Sequence, residues 1–380
     1  MQIQSKLPKV GSSIFSVMSA MARKHGAINL SQGFPNFDGS DRLKNLVSHY
    51  INKGMNQYAP MAGVLELREA IAQKFNALYD IEVDADTEIT VTAGATQAIF
   101  TAITAFVKPD DEVILIEPAY DSYRPAIQVN GGRPVTYELS APDFEIDWQQ
   151  FQKLVTFKTR MIIINTPQNP TGQILKLQDY KELEKITAGT DILILSDEVY
   201  EHLVFDGLEH HTILKFPALR ERSLATFSFG KTYHHTGWKM GYCIAPPHLM
   251  KEFQKVHQFN VFSVNTPIQY ALADFMKFPE AYTTLSDFYQ QKRDYFLENM
   301  NGSSLQPILC EGTYFQLFNY SAISTENDMD FAMRLIEEFG VATIPVSAFY
   351  SSAKNQYIIR ICFAKTEETL EKAAKILRKL

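Results

Sequence analysis

The stretch from residue 88 to residue 245 constrains this chain most. Glu88–Thr92, Glu112–Ile116, Arg160–Asn165, Asp191–Ser196, Leu224–Ser228 and Gly241–Ala245 are near-continuous apolar runs, and stretches of helical spacing separate most of them. A strand can be apolar on both sides only where helices cover both faces of its sheet, so these runs predict an α/β sheet. Just past the ends of the runs stand Thr96, Tyr120, Asn169, Asp197 and Lys231. Open α/β sheets bind ligands at the carboxyl edge of their strands, which makes that edge the expected site.

The flanks read differently. Gly11-Ser12-Ser13 followed by Ile14, Phe15, Val17, Met18 and Met21 predicts a capped amphipathic helix ending at Gly26. Residues 65–79 predict another, with Leu67, Ile71 and Phe75 on one face, and residues 97–107 a third. Beyond residue 280, helical spacing at 285–299, 330–340 and 367–380 alternates with expected strands at 310–317 and 357–363. This predicts a large domain over 45–278 with a mostly parallel sheet flanked by helices. A smaller α+β domain combines 279–380 with the N-terminal segment 1–44.

Composition limits the function. A formal net charge of −7 argues against nucleic acid or an anionic membrane as partner. No apolar run approaches membrane-spanning length and residues 1–10 lack a signal-type apolar core. Cys243, Cys310 and Cys362 are too few and too scattered for a disulfide framework or a zinc site, and read as small buried hydrophobes. A cytoplasmic protein is the expectation.

Lys231 lies in Ser228-Phe229-Gly230-Lys231, with Lys239 eight residues on. Alone, this is a surface turn with solvated lysines. Alternatively, Lys231 joins an aldehyde cofactor as an imine while Ser228 and Lys239 hold its phosphate. Asp197 is either a helix cap or a carboxylate that holds a protonated ring nitrogen. Tyr200 either packs in the core or reaches a cofactor's ring oxygen, and Asn169 is a turn residue or a second donor to that oxygen. Gly94-Ala95-Thr96 opens a helix whose free N–H groups suit a phosphate. Arg360, between isoleucines, needs a partner: an ion pair, or a substrate carboxylate held by two hydrogen bonds. Adjacent His234 and His235 invite a metal reading, but neighbours on a loop rarely point at one ion, and no metal is expected.

Asn169-Pro170-Thr171-Gly172, Asp197-x-x-Tyr200, Ser228-x-x-Lys231, Lys239 and Arg360 share the order and spacing of class I/II aminotransferases of fold type I, which depend on pyridoxal 5′-phosphate (PLP). The chain resembles that family from Asn29 to its end. Within it, Gln57-Tyr58-Ala59-Pro60-Met61, Glu198-Val199-Tyr200-Glu201-His202 and Phe262-Ser263-Val264-Asn265-Thr266-Pro267 are most similar to bacterial methionine aminotransferases, and next to the kynurenine aminotransferase/glutamine transaminase K group.

The resemblance implies Lys231 as the catalytic lysine on the cofactor, Asp197 at the pyridine nitrogen, Asn169 and Tyr200 at the ring oxygen, and Tyr120 on the ring face. It implies Ala95, Thr96, Ser228 and Lys239 around the phosphate, with Tyr58 reaching the phosphate of a neighbouring subunit in a homodimer. Gly33, Asn169 and Arg360 would bind the substrate α-carboxylate. Two departures stand out. Ala95 replaces a frequent family glycine, and Thr96 and Ser263 replace an aromatic and a histidine frequent in the kynurenine group, which favours methionine.

The expected reaction moves an amino group from an L-amino acid to a 2-oxo acid, with Phe34, Tyr120, Tyr123 and Phe262 as side-chain pocket candidates and Ile14 and Phe15 closing over it. β-Elimination from a cysteine conjugate is the alternative chemistry. The effector domain of a transcription regulator is a third reading, against which no helix-turn-helix or basic segment precedes the fold.

Overall fold

The structure is a computed structural model that describes residues 4–8 and 10–380. Its main sheet has seven strands: β1 (Ile89–Thr92), β2 (Glu112–Glu117), β3 (Arg133–Glu138), β4 (Thr159–Asn165), β5 (Leu193–Asp197), β6 (Ser223–Ser228) and β7 (Gly241–Ile244). They lie in the order β1-β7-β6-β5-β4-β2-β3. All neighbours are parallel except β7, which runs antiparallel to both β1 and β6.

Burial on both faces explains the apolar runs. Ile114, Ile116, Ile162, Ile164 and Ile194 enter one core, while the alternating Val113, Leu115, Met161, Ile163, Leu193 and Leu195 enter a second core on the opposite face. The helix Ala95–Phe106 packs into the second with Ile99 and Ile103, and the helix Leu65–Tyr79 into the first with Leu67, Ile71 and Phe75. Each fully buried aliphatic side chain contributes about 1.5–3 kcal/mol relative to exposure.

A buried ion pair lies in the first core. Lys74 Nζ is 2.5 Å from Glu201 Oε1 and donates to Tyr242 Oη at 3.0 Å, while Tyr79 Oη donates to Glu201 Oε2 at 2.9 Å. Burial works against the Glu201 charge, but the charge and hydrogen bond of Lys74, with His202 and His210, together outweigh it and hold the carboxyl low.

A second sheet is antiparallel, in the order Ile344–Pro345, Ile358–Cys362, Phe315–Asn319, Gln306–Pro307, with Leu317 opposite Arg360. Ile28–Asn29 pairs in parallel with Val341–Ala342, so the segment leading to Gly33 is fixed beside the C-terminal third of the chain.

Several expectations hold closely. The helix Ile14–His25 is capped by Ser13 Oγ, which accepts from Ser16 N at 3.3 Å, and stops at Gly26 in the left-handed region with φ 63°. Others shift. β3 was not expected from the sequence, because an edge strand with intermediate exposure lacks the apolar run. The strand expected over 310–317 starts only at Phe315. The backbone N–H groups of Glu311 and Gly312 donate instead to Gly172 O, at 2.9 and 2.8 Å, and Thr313 has φ 71°, so this segment braces the Asn169 turn before the strand begins. The helix expected from Gln97 begins at Ala95, and Asp197 is the last residue of β5 rather than a loop residue.

Candidate active site

Strand register brings the site together. Asn165 pairs with Asp197, and Asp197 with Thr226, at the carboxyl ends of β4, β5 and β6. Because β7 is antiparallel, its first residue, Gly241, pairs with both Ser228 and Thr92. The start of β7, with Lys239 before it, therefore reaches the edge where the parallel strands end. Only glycine fits at 241: a Cβ there would lie 2.5 Å from Phe227 O and 3.0 Å from Ala95 N.

At that edge is a cavity of about 250 Å³. Gly33, Ala95, Thr96, Tyr120, Asn169, Asp197, Tyr200, Ser228, Lys231, Lys239 and Arg360 all line it. Of the residues expected to hold the cofactor or the substrate carboxylate, Tyr58 does not. It is 83% exposed and packs edge-on against Phe262 at 5.2 Å.

The pocket's anion-binding end is built from Lys239, the hydroxyls of Thr96 and Ser228, and the start of the helix Ala95–Phe106. Gly94, at φ 79°, precedes that helix and makes no side-chain cap, so the first N–H groups are free for an anion. A Cβ at Gly94 would lie 3.5 Å from Lys239 Cε and Nζ, within the cradle itself. Ser228 Oγ accepts from Lys231 N at 3.4 Å, which ties the hydroxyl to the turn that carries the lysine. This donor set fits a phosphate monoester.

Asp197 is almost fully buried. Its Oδ2 accepts from Tyr123 Oη at 2.5 Å and its Oδ1 from Val199 N at 3.4 Å. Burial raises its carboxyl to about 6, against the lowering effect of the Tyr123 bond and the Lys231 charge. Tyr123 was expected in the substrate pocket and instead lies beneath the carboxylate. Burial raises the phenols of Tyr120 and Tyr200 above the ordinary tyrosine value, so both stay protonated donors. Tyr120 Oη is 3.4 Å from Thr96 Oγ1.

Lys231 Nζ donates to Tyr314 Oη at 2.8 Å and to Gly33 O at 3.1 Å. Burial lowers the ammonium to about 8, where a neutral amine is accessible near neutral pH. Arg360 is wholly buried. Its Nη1 donates to Asn169 Oδ1 at 2.7 Å and its Nη2 to Ser31 O at 3.0 Å, and its guanidinium lies 3.8 Å from the Phe315 ring centroid. Among the described residues its Nε has no partner. No carboxylate among them lies within ion-pair distance of this buried guanidinium, Asp121 acting on it only from further off, and its unused donor suits an incoming carboxylate. Burial lowers its value to about 10, so it stays cationic.

The remaining pocket candidates separate. Phe15 lines the cavity and its ring is 5.3 Å from the Arg360 guanidinium, whereas Phe34 and Phe262 do not line it and are 44% and 47% exposed. His234 and His235 pack in different surroundings, His234 among Phe37, Phe288 and Tyr289, and His235 stacked on Trp238 at 3.9 Å. The sequence reading missed Tyr314 and Asn165. Nothing local marks Tyr314, which reads as one more aromatic in a strand.

Comparison with known proteins bears out the motif resemblance. A family model described as aminotransferase class I and II matches residues 25–377. The methionine aminotransferase of Escherichia coli (strain K12) is 52% identical over 378 residues, 99% of this chain and 98% of that protein. The kynurenine–oxoglutarate transaminase of Dictyostelium discoideum is 34% identical, over 97% of this chain and 94% of its own. A solved Escherichia coli structure, reported with a methionine aminotransferase function, has TM-score 0.98 at 52% identity and covers 100% of both chains. The N-succinyldiaminopimelate aminotransferase of Mycobacterium tuberculosis has TM-score 0.95 at 34% identity, also over 100% of both.

Proposed function

This chain belongs to the class I and II aminotransferases, and on that premise we propose that it moves the amino group of methionine to a 2-oxo acid with PLP as carrier. Aromatic and glutamine-like amino acids are its secondary donors. The observation that supports this most is the convergence of the Lys231 amine, the buried Asp197 carboxylate and the partly unpaired Arg360 guanidinium on one cavity.

The chemistry PLP supplies when bound is an aldehyde carbon for the amino group and an electron-withdrawing ring for the Cα electron pair. The chain's residues do the rest. Ser228, Thr96, Lys239 and the N–H groups of Ala95 and Thr96 bind the phosphate. Asp197 would hold a proton on the ring nitrogen by a charge-assisted hydrogen bond. Asn169 and Tyr200 would hold the ring oxygen, and Tyr120 would stack on the ring. Arg360, with Asn169 and Gly33, orients the substrate α-carboxylate. Lys231, as neutral amine, would be the group that takes up the substrate Cα proton. Phe15 and Phe349, whose rings lie 5.3 and 5.1 Å from Arg360, keep water from the carboxylate site.

The same reading makes the active unit a cytoplasmic homodimer, with large and small domains dividing at about residues 45 and 278. The exposed Tyr58–Phe262 pair supports the dimer, since an aromatic pair on the surface is suited to burial by a second copy. Among the described residues no helix is long and apolar enough to cross a membrane.

The deciding experiment is an absorption spectrum of purified protein with PLP, before and after methionine is added without an acceptor. The expected result is a visible band that fades on addition. A protein that stays colourless with PLP overturns the reading, and a coloured protein unmoved by methionine overturns the donor. Pyruvate and ammonia released from a cysteine conjugate without an acceptor would establish the lyase alternative.

A further inference from the structure

Tyr314 has no role in the reading above, yet it makes the closest contact to Lys231. Its ring is wholly buried, and its carbonyl is fixed by Phe363 N at 3.0 Å. Tyr200, Tyr289 and Phe315 surround the ring at 5.2, 5.7 and 4.9 Å between centroids. Tyr314 Oη donates to Gly33 O at 2.6 Å, which leaves its lone pairs toward Lys231 Nζ at 2.8 Å. Gly33 is equally fixed: a Cβ there would lie 2.8 Å from Phe315 Cζ. Lys231 thus meets two immobile oxygens, both uncharged.

We infer that Tyr314 is a positioning residue for the amino-group transfer: with the Gly33 carbonyl, it holds the Lys231 amine in place through neutral acceptors. The choice of acceptor matters to a base. A carboxylate against the amine would orient it but hold its proton tightly, and the nearby Asp197 oxygens are instead engaged by Tyr123 and Val199. A phenol and a carbonyl fix direction while holding the proton less tightly than a carboxylate would, as suits a group that must both take and release a proton. Gly33 also lies one residue past Gln32 and two past Ser31, whose carbonyl accepts from Arg360, so the same short segment positions the base and the carboxylate-binding arginine. Besides Tyr314, the charged and titratable groups around Lys231 include Cys362, Arg360, Lys239 and Asp197, with the Tyr200 ring 5.6 Å from Nζ, and Tyr314→Phe removes none of these. This inference rests on the PLP reading for the use of the amine, and on geometry alone for the hold.

The test uses cofactor-free protein. Trace acetylation of wild type and Tyr314→Phe across pH, read at Lys231 by mass spectrometry, gives the amine's titration in each. Loss of one acceptor from the charged form lowers the Lys231 value by about one pH unit. An unchanged titration in a folded Tyr314→Phe protein overturns the inference. A crystal structure of the cofactor-free wild type gives a second decision that needs no variant. Nζ within hydrogen-bond distance of Tyr314 Oη supports the hold, and Nζ turned away from it overturns it. Repeating the labelling with PLP separates the two ideas: wild-type Lys231 left unprotected by PLP defeats the cofactor reading, while the titration difference still decides Tyr314.

Discussion

Arg360 Nη1 donates to Asn169 Oδ1 at 2.7 Å across a sequence separation of 191 residues. That single bond joins the antiparallel sheet to the turn that follows β4. Asn169 is thereby oriented by the group expected to bind substrate, while Nη2 is held by Ser31 O and Nε is the donor without a partner among the described residues.

Arg360→Lys keeps the charge and loses the fork. Lysine cannot reach Asn169 and Ser31 while also making two bonds to a carboxylate. The expected result is a fall in kcat/KM for methionine of about 10²-fold, carried mainly by KM, as suits loss of charge-assisted hydrogen bonds to substrate. Steady-state kinetics check it, and an unchanged KM would count against carboxylate binding at Arg360.

Lys231→Ala removes the base. Multiple turnover is expected to be lost while circular dichroism and PLP affinity through the phosphate cradle are largely retained. Appreciable turnover by the purified variant would rule out Lys231 as the proton carrier.

Asp197 predicts a pH effect on the cofactor-free protein. Burial raises its folded value to about 6, above the unfolded value. A carboxyl raised in this way binds its proton more tightly in the native state, so its contribution to stability is full below about pH 4 and is lost as pH rises through about 6. The loss amounts to about 3 kcal/mol at most. Asp197→Asn removes it, so the variant without cofactor should be the more stable of the two at pH 7 and should bind PLP more weakly. Urea unfolding at pH 4 and pH 7 tests the first part. A wild-type protein that gains stability over that range would contradict it.

Glu201→Gln leaves the Lys74 ammonium buried without its counter-charge, since both side chains are about 5% exposed or less. The expected loss of stability is about 3–5 kcal/mol. Replacing both, as Lys74→Met with Glu201→Leu, should recover part of it, because the apolar pair has no charge to desolvate, although the Tyr79 and Tyr242 hydroxyls lose their partners. Denaturation of the single and double variants decides this, and equal losses would show that the pair is not coupled.

Much of this was legible in the sequence because it is local. The apolar runs, the capping serine at residue 13 and the glycine at residue 26 follow from side-chain chemistry within a few residues. The edge strand Arg133–Glu138 was not legible, since an edge strand need not be apolar. The strand expected over 310–317 starts late because its first residues are used to brace Gly172, a partner the local pattern does not reveal. The site residues were legible as types at known spacings, through Asn169, Asp197, Ser228, Lys231 and Arg360.

The sequence by itself determined the α/β class, the motif chemistry and the carboxyl edge as the place of the site, because period, turn residues and charge are properties of short segments. Tertiary structure alone decided the rest. It turned β7 antiparallel so that Gly241 and Lys239 meet the Gly94–Ala95 helix start. It placed Tyr123 under Asp197 rather than in the substrate pocket, and set Tyr314 against Lys231. Those relationships depend on strand order and register between segments far apart in the chain, where no periodicity within either segment specifies which oxygen the other will face.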